Sequence, residues 1–257
     1  MNKKKKIQDL RHFLARYGLP PDRPILPLGV AGADAALGGG LASGALHEIY
    51  AQDWAAAGFA ACLAIRLAGA SFNGRGGPFF WVRPDYEALE YGAFTAQGLV
   101  ELGLDARNLF LVRTANAAEA LAAANDILSC PHVGVVLLEL CGGALDPVAS
   151  RRLNFIAAEK GVTILLLHEG AADQPSAAQT RWRAASAPSG NEEWGAPTYR
   201  AELIRNRLGP GGSWTMTWNP DYGLFRESGL AAHAPHPGAL VAAASHRPAE
   251  KERRFAF

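Results

Sequence analysis

Apolar residues first recur at helical spacing near the start of the chain. Ile7, Leu10, Leu14 and Tyr17 share one face of a helix over residues 3–17, with lysines and arginines at the other positions. Gly18 and Pro20 end that helix, and the proline-rich stretch 19–29 reads as a linker. From residue 46 the spacing changes to short apolar runs separated by longer amphipathic segments. Strands are expected at 46–50, 78–82, 109–112, 133–138 and 162–167, and helices at 54–71, 86–102, 116–129 and 147–160. The runs 133–138 and 162–167 are almost wholly apolar, as strands of a parallel sheet are when both faces are buried. Strict alternation of strand and helix from 46 to 167 implies βαβ units and a parallel sheet.

After residue 168 the pattern breaks. Residues 169–198 are rich in Gly, Ala, Ser, Pro and Gln around Arg181-Trp182-Arg183, and read as irregular. Residues 199–207 alternate, with Ala201, Leu203 and Arg205 on one side and Glu202, Ile204 and Asn206 on the other. The turn at 209–212 leads to a second strand, 213–218, which makes a hairpin. From Gly229 the chain is Ala, Pro, His and charge, and is expected to be a disordered tail. The expected organisation is an N-terminal helix (1–18), a linker (19–29), one α/β domain (30–228) and a tail (229–257).

Composition narrows the function. The 257 residues are 49% hydrophobic, enough for a full core, and the net charge of +1 excludes a global pull onto nucleic acid. Cys62, Cys130 and Cys141 have neither disulfide nor metal-ligand spacing, so each is expected to be a small buried hydrophobe in a reducing setting. The basic start, Met1 to Lys6, lacks the apolar stretch of a signal peptide, and no apolar run of about 18 residues marks a membrane span. A cytoplasmic protein without a membrane association is expected.

The glycines Gly39-Gly40 and Gly44, followed by Glu48-Ile49-Tyr50, resemble the approach to the phosphate-binding loop of RecA. What should follow is a glycine-rich curl, a lysine for the β- and γ-phosphates and a hydroxyl for Mg²⁺. The sequence instead has Ala51-Gln52-Asp53-Trp54-Ala55-Ala56-Ala57-Gly58. Ala57 stands at the lysine position, Gly58 stands at the hydroxyl position, and Trp54 is bulky enough to fill the phosphate space. The resemblance implies a RecA-like three-layer α/β fold with a mostly parallel central sheet, a C-terminal antiparallel hairpin and a tethered N-terminal helix. No nucleotide cofactor, metal or catalysis is expected. Glu139 and Asp85 sit where that family directs carboxylates at Mg²⁺ and water, and without a phosphate loop they read as strand-end residues.

A closer resemblance is to the ImuA family, RecA-like accessory proteins of bacterial SOS mutagenesis. It rests on Gly92 through Gly98-Leu99, Leu102-Gly103-Leu104-Asp105, Leu109 to Arg113, Ser150-Arg151-Arg152-Leu153, Pro175 to Ala178 with Thr180 to Arg183, Glu202 to Arg207, and Gly212-Ser213-Trp214. The family implies partners: an ImuB-like Y-family polymerase homologue, RecA, and indirectly an error-prone C-family polymerase. Some members carry the label of SulA-like cell-division inhibitors. An inhibitor of that kind and a RecA-like nucleotide-dependent ATPase stand as alternatives to the accessory role.

One cluster remains. Arg181, Arg183, Arg200, Arg205 and Arg207 with Trp182 can form a partner face, grip single-stranded DNA by phosphate contact and stacking, or be a solvated rim. The N-terminal Ile7, Leu10 and Leu14 face is expected to dock on a neighbouring protein. His168 and Glu169 follow a strand end, where α/β sheets place ligand-contacting groups. Ser43 precedes a strand and so is no nucleophile elbow.

Overall fold

A computed structural model describes residues 23–51, 53, 55–74, 77–85, 95–140, 145–168, 174–189 and 196–228. The Ile7–Tyr17 face, the start of the linker, Gln52, Trp54, Cys141, Glu169 and the tail from 229 lie outside the described residues. Eleven strands are described. They are β1 (Ile25–Leu26), β2 (Leu41–Ala42), β3 (Leu46–Ala51), β4 (Phe79–Pro84), β5 (Leu109–Thr114), β6 (Val135–Leu140), β7 (Thr163–His168), β8 (Thr180–Ser186), β9 (Thr198–Asn206), β10 (Gly212–Asn219) and β11 (Leu224–Glu227). The helices are α1 (Ala31–Ala36), α2 (Ala55–Gly74), α3 (Ala96–Glu101), α4 (Ala117–Ser129) and α5 (Pro147–Lys160). None of the described helices is long and apolar enough to cross a membrane.

Helix ends follow from local chemistry. Asn116 caps α4 by accepting from the Glu119 amide (3.0 Å), while Glu119 accepts in return from the Ala115 amide (3.0 Å). Asp146 caps α5 through the Val148 amide (3.1 Å), Pro147 opens it, and Gly161 ends it at φ 71°.

Nine strands form one sheet in the order β5-β4-β6-β7-β3-β8-β9-β10-β11. Every pairing from β5 to β8 is parallel, and every pairing from β8 to β11 is antiparallel. The result is an α/β fold with a large, mostly parallel mixed sheet and the expected C-terminal hairpin. Helix α2 lies across one face, where Phe59 and Leu63 meet Leu137, Leu165, Tyr199, Trp218 and Phe225. Helices α4 and α5 cover the other face, where Leu128 and Leu153 meet Val136, Leu138, Ile164 and Leu166.

Several expectations are corrected. The segment 169–198 is not irregular throughout, because β8 runs through it between β3 and β9. Strand alternation then splits Arg181-Trp182-Arg183: the two arginines take one face, and Trp182 is fully buried on the other against Phe59 (6.0 Å between ring centres) and Trp214 (6.2 Å). A register shift opposite Arg181 and Trp182 inserts Ile204, so Arg205 faces solvent although Ala201 and Leu203 are buried. Residues 23–29 are not a linker. Leu28 is fully buried, its amide and that of Gly29 donate to the Asp34 carboxylate (2.7 and 3.0 Å), and its carbonyl accepts from the Phe225 amide (2.8 Å). Cys62 is buried as expected, whereas Cys130 is exposed at the end of α4.

A relay of hydrogen bonds joins β8 to β3. The Trp182 indole donates to the Thr180 hydroxyl (3.0 Å), which lies 2.7 Å from His47 Nδ1, while His47 Nε2 donates to the Ala42 carbonyl (2.8 Å). Burial holds His47 down to about 4, with Arg23 adding to the effect against the Ala42 bond. The folded protein therefore keeps His47 neutral at pH values where the unfolded chain protonates it. Its contribution is complete above the ordinary imidazole value of 6.5 and is lost as pH falls towards about 4. Urea titrations should show stability dropping by about 3 kcal/mol across that window. A His47→Gln variant should lose most of the slope, and an unchanged slope would refute the assignment.

Candidate functional site

In open α/β sheets the ligand crevice lies beyond the carboxyl ends of the strands. Here that place is the step from Ala51, closing the central strand β3, to Ala55, opening α2. The N-terminal turn of a helix presents free amides and a partial positive charge, which suits a phosphate. Asp53 occupies it from within the chain. Its Oδ1 accepts from the Ala55 amide (3.0 Å), and its Oδ2 accepts from the Ser186 amide (2.8 Å) and hydroxyl (2.6 Å) at the end of β8. Partial burial would raise the Asp53 pKa, but the Ser186 and Ala55 hydrogen bonds outweigh it and hold the carboxylate below its ordinary value.

One turn on, Gly58 faces Tyr199. A Cβ at position 58 would lie 2.7 Å from the Tyr199 hydroxyl. That ring is buried edge-on to Phe59 (5.6 Å between centres), and its hydroxyl lies 3.8 Å from Cys62 Sγ. The space a Mg²⁺-binding hydroxyl at 58 would need is taken by β9. Ala57 packs partly buried against the same core.

The two acidic candidates are engaged elsewhere. Glu139 is buried in β6, accepts from the Trp81 indole (3.0 Å) and lies 3.3 Å from Arg83. Burial raises its pKa, with Arg83 and Trp81 pulling against that rise. Asp85 pairs with Arg113 (2.7 Å) at the sheet margin, both half-exposed.

Sequence reasoning missed the polar network on the opposite face of β3. Glu48 is buried and takes a salt bridge from Arg181 (2.8 Å) together with hydrogen bonds from the Tyr50 hydroxyl (3.0 Å) and the Ser176 hydroxyl. The Arg181 guanidinium also reaches the Gln174 carbonyl and lies over the Tyr50 ring at 5.9 Å. Tyr50 packs on His168 (4.1 Å between ring centres), whose pKa burial lowers. The available signal was a glutamate next to His47 inside a strand whose other residues are apolar or aromatic, which requires a buried cation opposite it.

No protein-family model matches the chain. Protein ImuA of Caulobacter vibrioides, found in two strains, is 32% identical over 253 residues, covering 90% of this chain and 96% of the relative. The chain belongs to the ImuA family. The stretches named in the sequence for this resemblance fall, among the described residues, on α3 and the turn after it, on β5, α5, β8, β9 and β10, and on the strap 174–179 that leads into β8. That strap is tied down on both sides. The Ala177 amide donates to Ser150 Oγ of α5 (3.1 Å), and Arg207 donates to the carbonyls of Ala178 (2.9 Å) and Ser176 (3.3 Å).

In this ImuA-family chain the six residues of the basic cluster are therefore dispersed. Trp182 is core, Arg181 is buried on Glu48, Arg207 clasps the strap, and Arg183 pairs with Glu202 (2.8 Å). Arg200 and Arg205 are exposed on the face opposite the aromatic core. Trp182→Ala should cost about 3–5 kcal/mol of unfolding free energy, as large core truncations do, while Arg205→Ala should cost less than about 0.5 kcal/mol. Equal effects in chemical denaturation would contradict the placement. Restoring a hydroxyl with Gly58→Ser should destabilise the fold by about 1–3 kcal/mol through overpacking, and a Tyr199→Phe background should recover part of that loss.

Proposed function

We propose that this ImuA-family protein is a RecA-like accessory factor of SOS-induced translesion synthesis and mutagenesis that works without catalysis. It bridges RecA and an ImuB-like Y-family polymerase homologue, and through the latter reaches an error-prone C-family polymerase. The observation that carries the reading is the engaged start of α2: the Ala55 amide and the Ser186 amide already hold Asp53, and Tyr199 fills the space beside Gly58. Among the described residues the start of α2 is thus engaged from within the chain, which favours a role of holding partners over one of turning over nucleotide. The exposed Arg200 and Arg205, beside the half-buried Arg183, suit contact with an acidic partner surface.

Equilibrium titration with a fluorescent ATP analogue and Mg²⁺ should give no saturable signal up to about 1 mM. Mg²⁺-dependent binding in the micromolar range would overturn the reading. Affinity purification from DNA-damaged cells should recover the polymerase homologue, and the Arg200→Ala, Arg205→Ala double variant should recover less of it while melting normally.

A further inference from the structure

A second concavity lies at the opposite end of the sheet from the Asp53 site. It has a volume of about 570 Å³, within the range of about 300–1,000 Å³ usual for binding clefts. Its walls come from the last part of α2 (Leu67, Ala70), the turn after α4 (Ser129 to Gly134) and the turn from α5 into β7 (Lys160 to Thr163), with Pro24 and Ser43 closing the side. The floor is apolar, formed by Leu67, Val133 and Val162, while Cys130, Pro131, His132 and Lys160 on the rim are exposed.

Two features specify what belongs there. Helices α4 and α5 both end at this rim, at Ser129 and Lys160. Each C-terminus carries the equivalent of about −0.5 elementary charge; Lys160 answers that of α5, while the last turn of α4 has no basic residue, so the α4 end of the rim favours a cationic occupant. The chain also joins the body at the cleft wall. The Ser43 amide donates to the Pro24 carbonyl (2.9 Å), and the Arg23 guanidinium donates to the Gly44 carbonyl. Residue 22 is therefore two peptide steps, at most about 7 Å, from the lining residue Pro24.

We propose that residues 1–22 turn back onto their own domain and seat the Ile7, Leu10, Leu14 and Tyr17 face in this cleft, with Lys3 to Lys6 and Arg11 set against the C-terminus of α4. The reach is sufficient. A helix over 3–17 is about 22 Å long, and residues 18–22 add up to about 17 Å of connection. Tethering decides between copies. A segment on so short a leash has an effective concentration of about 1 mM, far above that of a second copy in solution. In-cis docking replaces the in-trans docking that the amphipathic pattern alone suggests, and it makes the cleft a site that a partner must compete for.

The Cys130 thiol on the rim reports occupancy. Its alkylation by N-ethylmaleimide, followed by mass spectrometry of the Cys130 peptide, should be about tenfold slower in the full chain than in a chain lacking residues 1–20, given an effective concentration of about 1 mM and a dissociation constant of about 0.1 mM. The full chain with Leu10→Glu and Leu14→Glu should match the truncated one. The protection should be the same at about 1 µM and about 100 µM protein, as an intramolecular contact requires. Cys62 monitors folding in the same samples, because it is buried and its thiol is pushed up to about 12 by that burial. Equal Cys130 rates in all three chains, or protection that grows with protein concentration, overturns the proposal. If a variant exposes Cys62, oxidation of the full chain carrying Leu14→Cys decides instead. A link to Cys130 within one chain supports in-cis docking, and a linked dimer or no link refutes it.

Discussion

The ion pair between Glu48 and Arg181 is the joint on which the two halves of the sheet hang. Glu48 belongs to the central parallel strand, and Arg181 to the strand from which the antiparallel extension grows. Their side chains are almost fully buried at 2.8 Å, with Tyr50 and Ser176 taking up the remaining lone pairs of the carboxylate. Removing one partner of such a pair strands a charge and costs about 3–5 kcal/mol. The pair also fixes the register of β8 on β3, which in turn sets where Ser186 meets Asp53 and where Trp182 enters the core. The strap that crosses this joint is held by its own backbone bonds to Ser150 and Arg207. The parts that look like a functional surface in sequence are thus largely the means by which the two halves are fastened.

Much of the parallel half was legible before any coordinates. β6 and β7 are continuous apolar runs, and α5 has a proline and an aspartate at its start and a glycine at its end, so period and caps agree. The antiparallel extension was only half legible. β8 reads Thr-Arg-Trp-Arg-Ala-Ala-Ser, and Thr180 and Arg181 are buried because His47 and Glu48 wait opposite them. A single sequence does not say which distant residue will satisfy a buried arginine, so the segment reads as loop. The same limit hid the bulge at Ile204, which reverses Arg205, and the docking of residues 23–29, whose prolines mimic a linker while Leu28 fills the core.

The candidate site was legible as a loss and not as a replacement. The residues from Ala51 to Gly58 announce that phosphate-binding groups are missing. They do not announce that Asp53 takes the place of the anion or that Ser186 completes the cage. A helix N-terminus with unused amides is itself unfavourable when partly covered, and a local carboxylate satisfies it at little conformational cost. The three hydrogen bonds that Asp53 accepts from Ala55 and Ser186 satisfy that end from within the chain.

The contact between Gly58 and Tyr199 has an evolutionary consequence. A side chain at 58 collides with a ring that is itself packed against Phe59 and Phe225, so a larger residue fits there only after the tyrosine has shrunk. Shrinking the tyrosine first leaves a hole under α2. Each of the two changes is harmful without the other. Positions 58 and 199 are therefore locked to each other, and a sequence leaves this arrangement only by changing both at once.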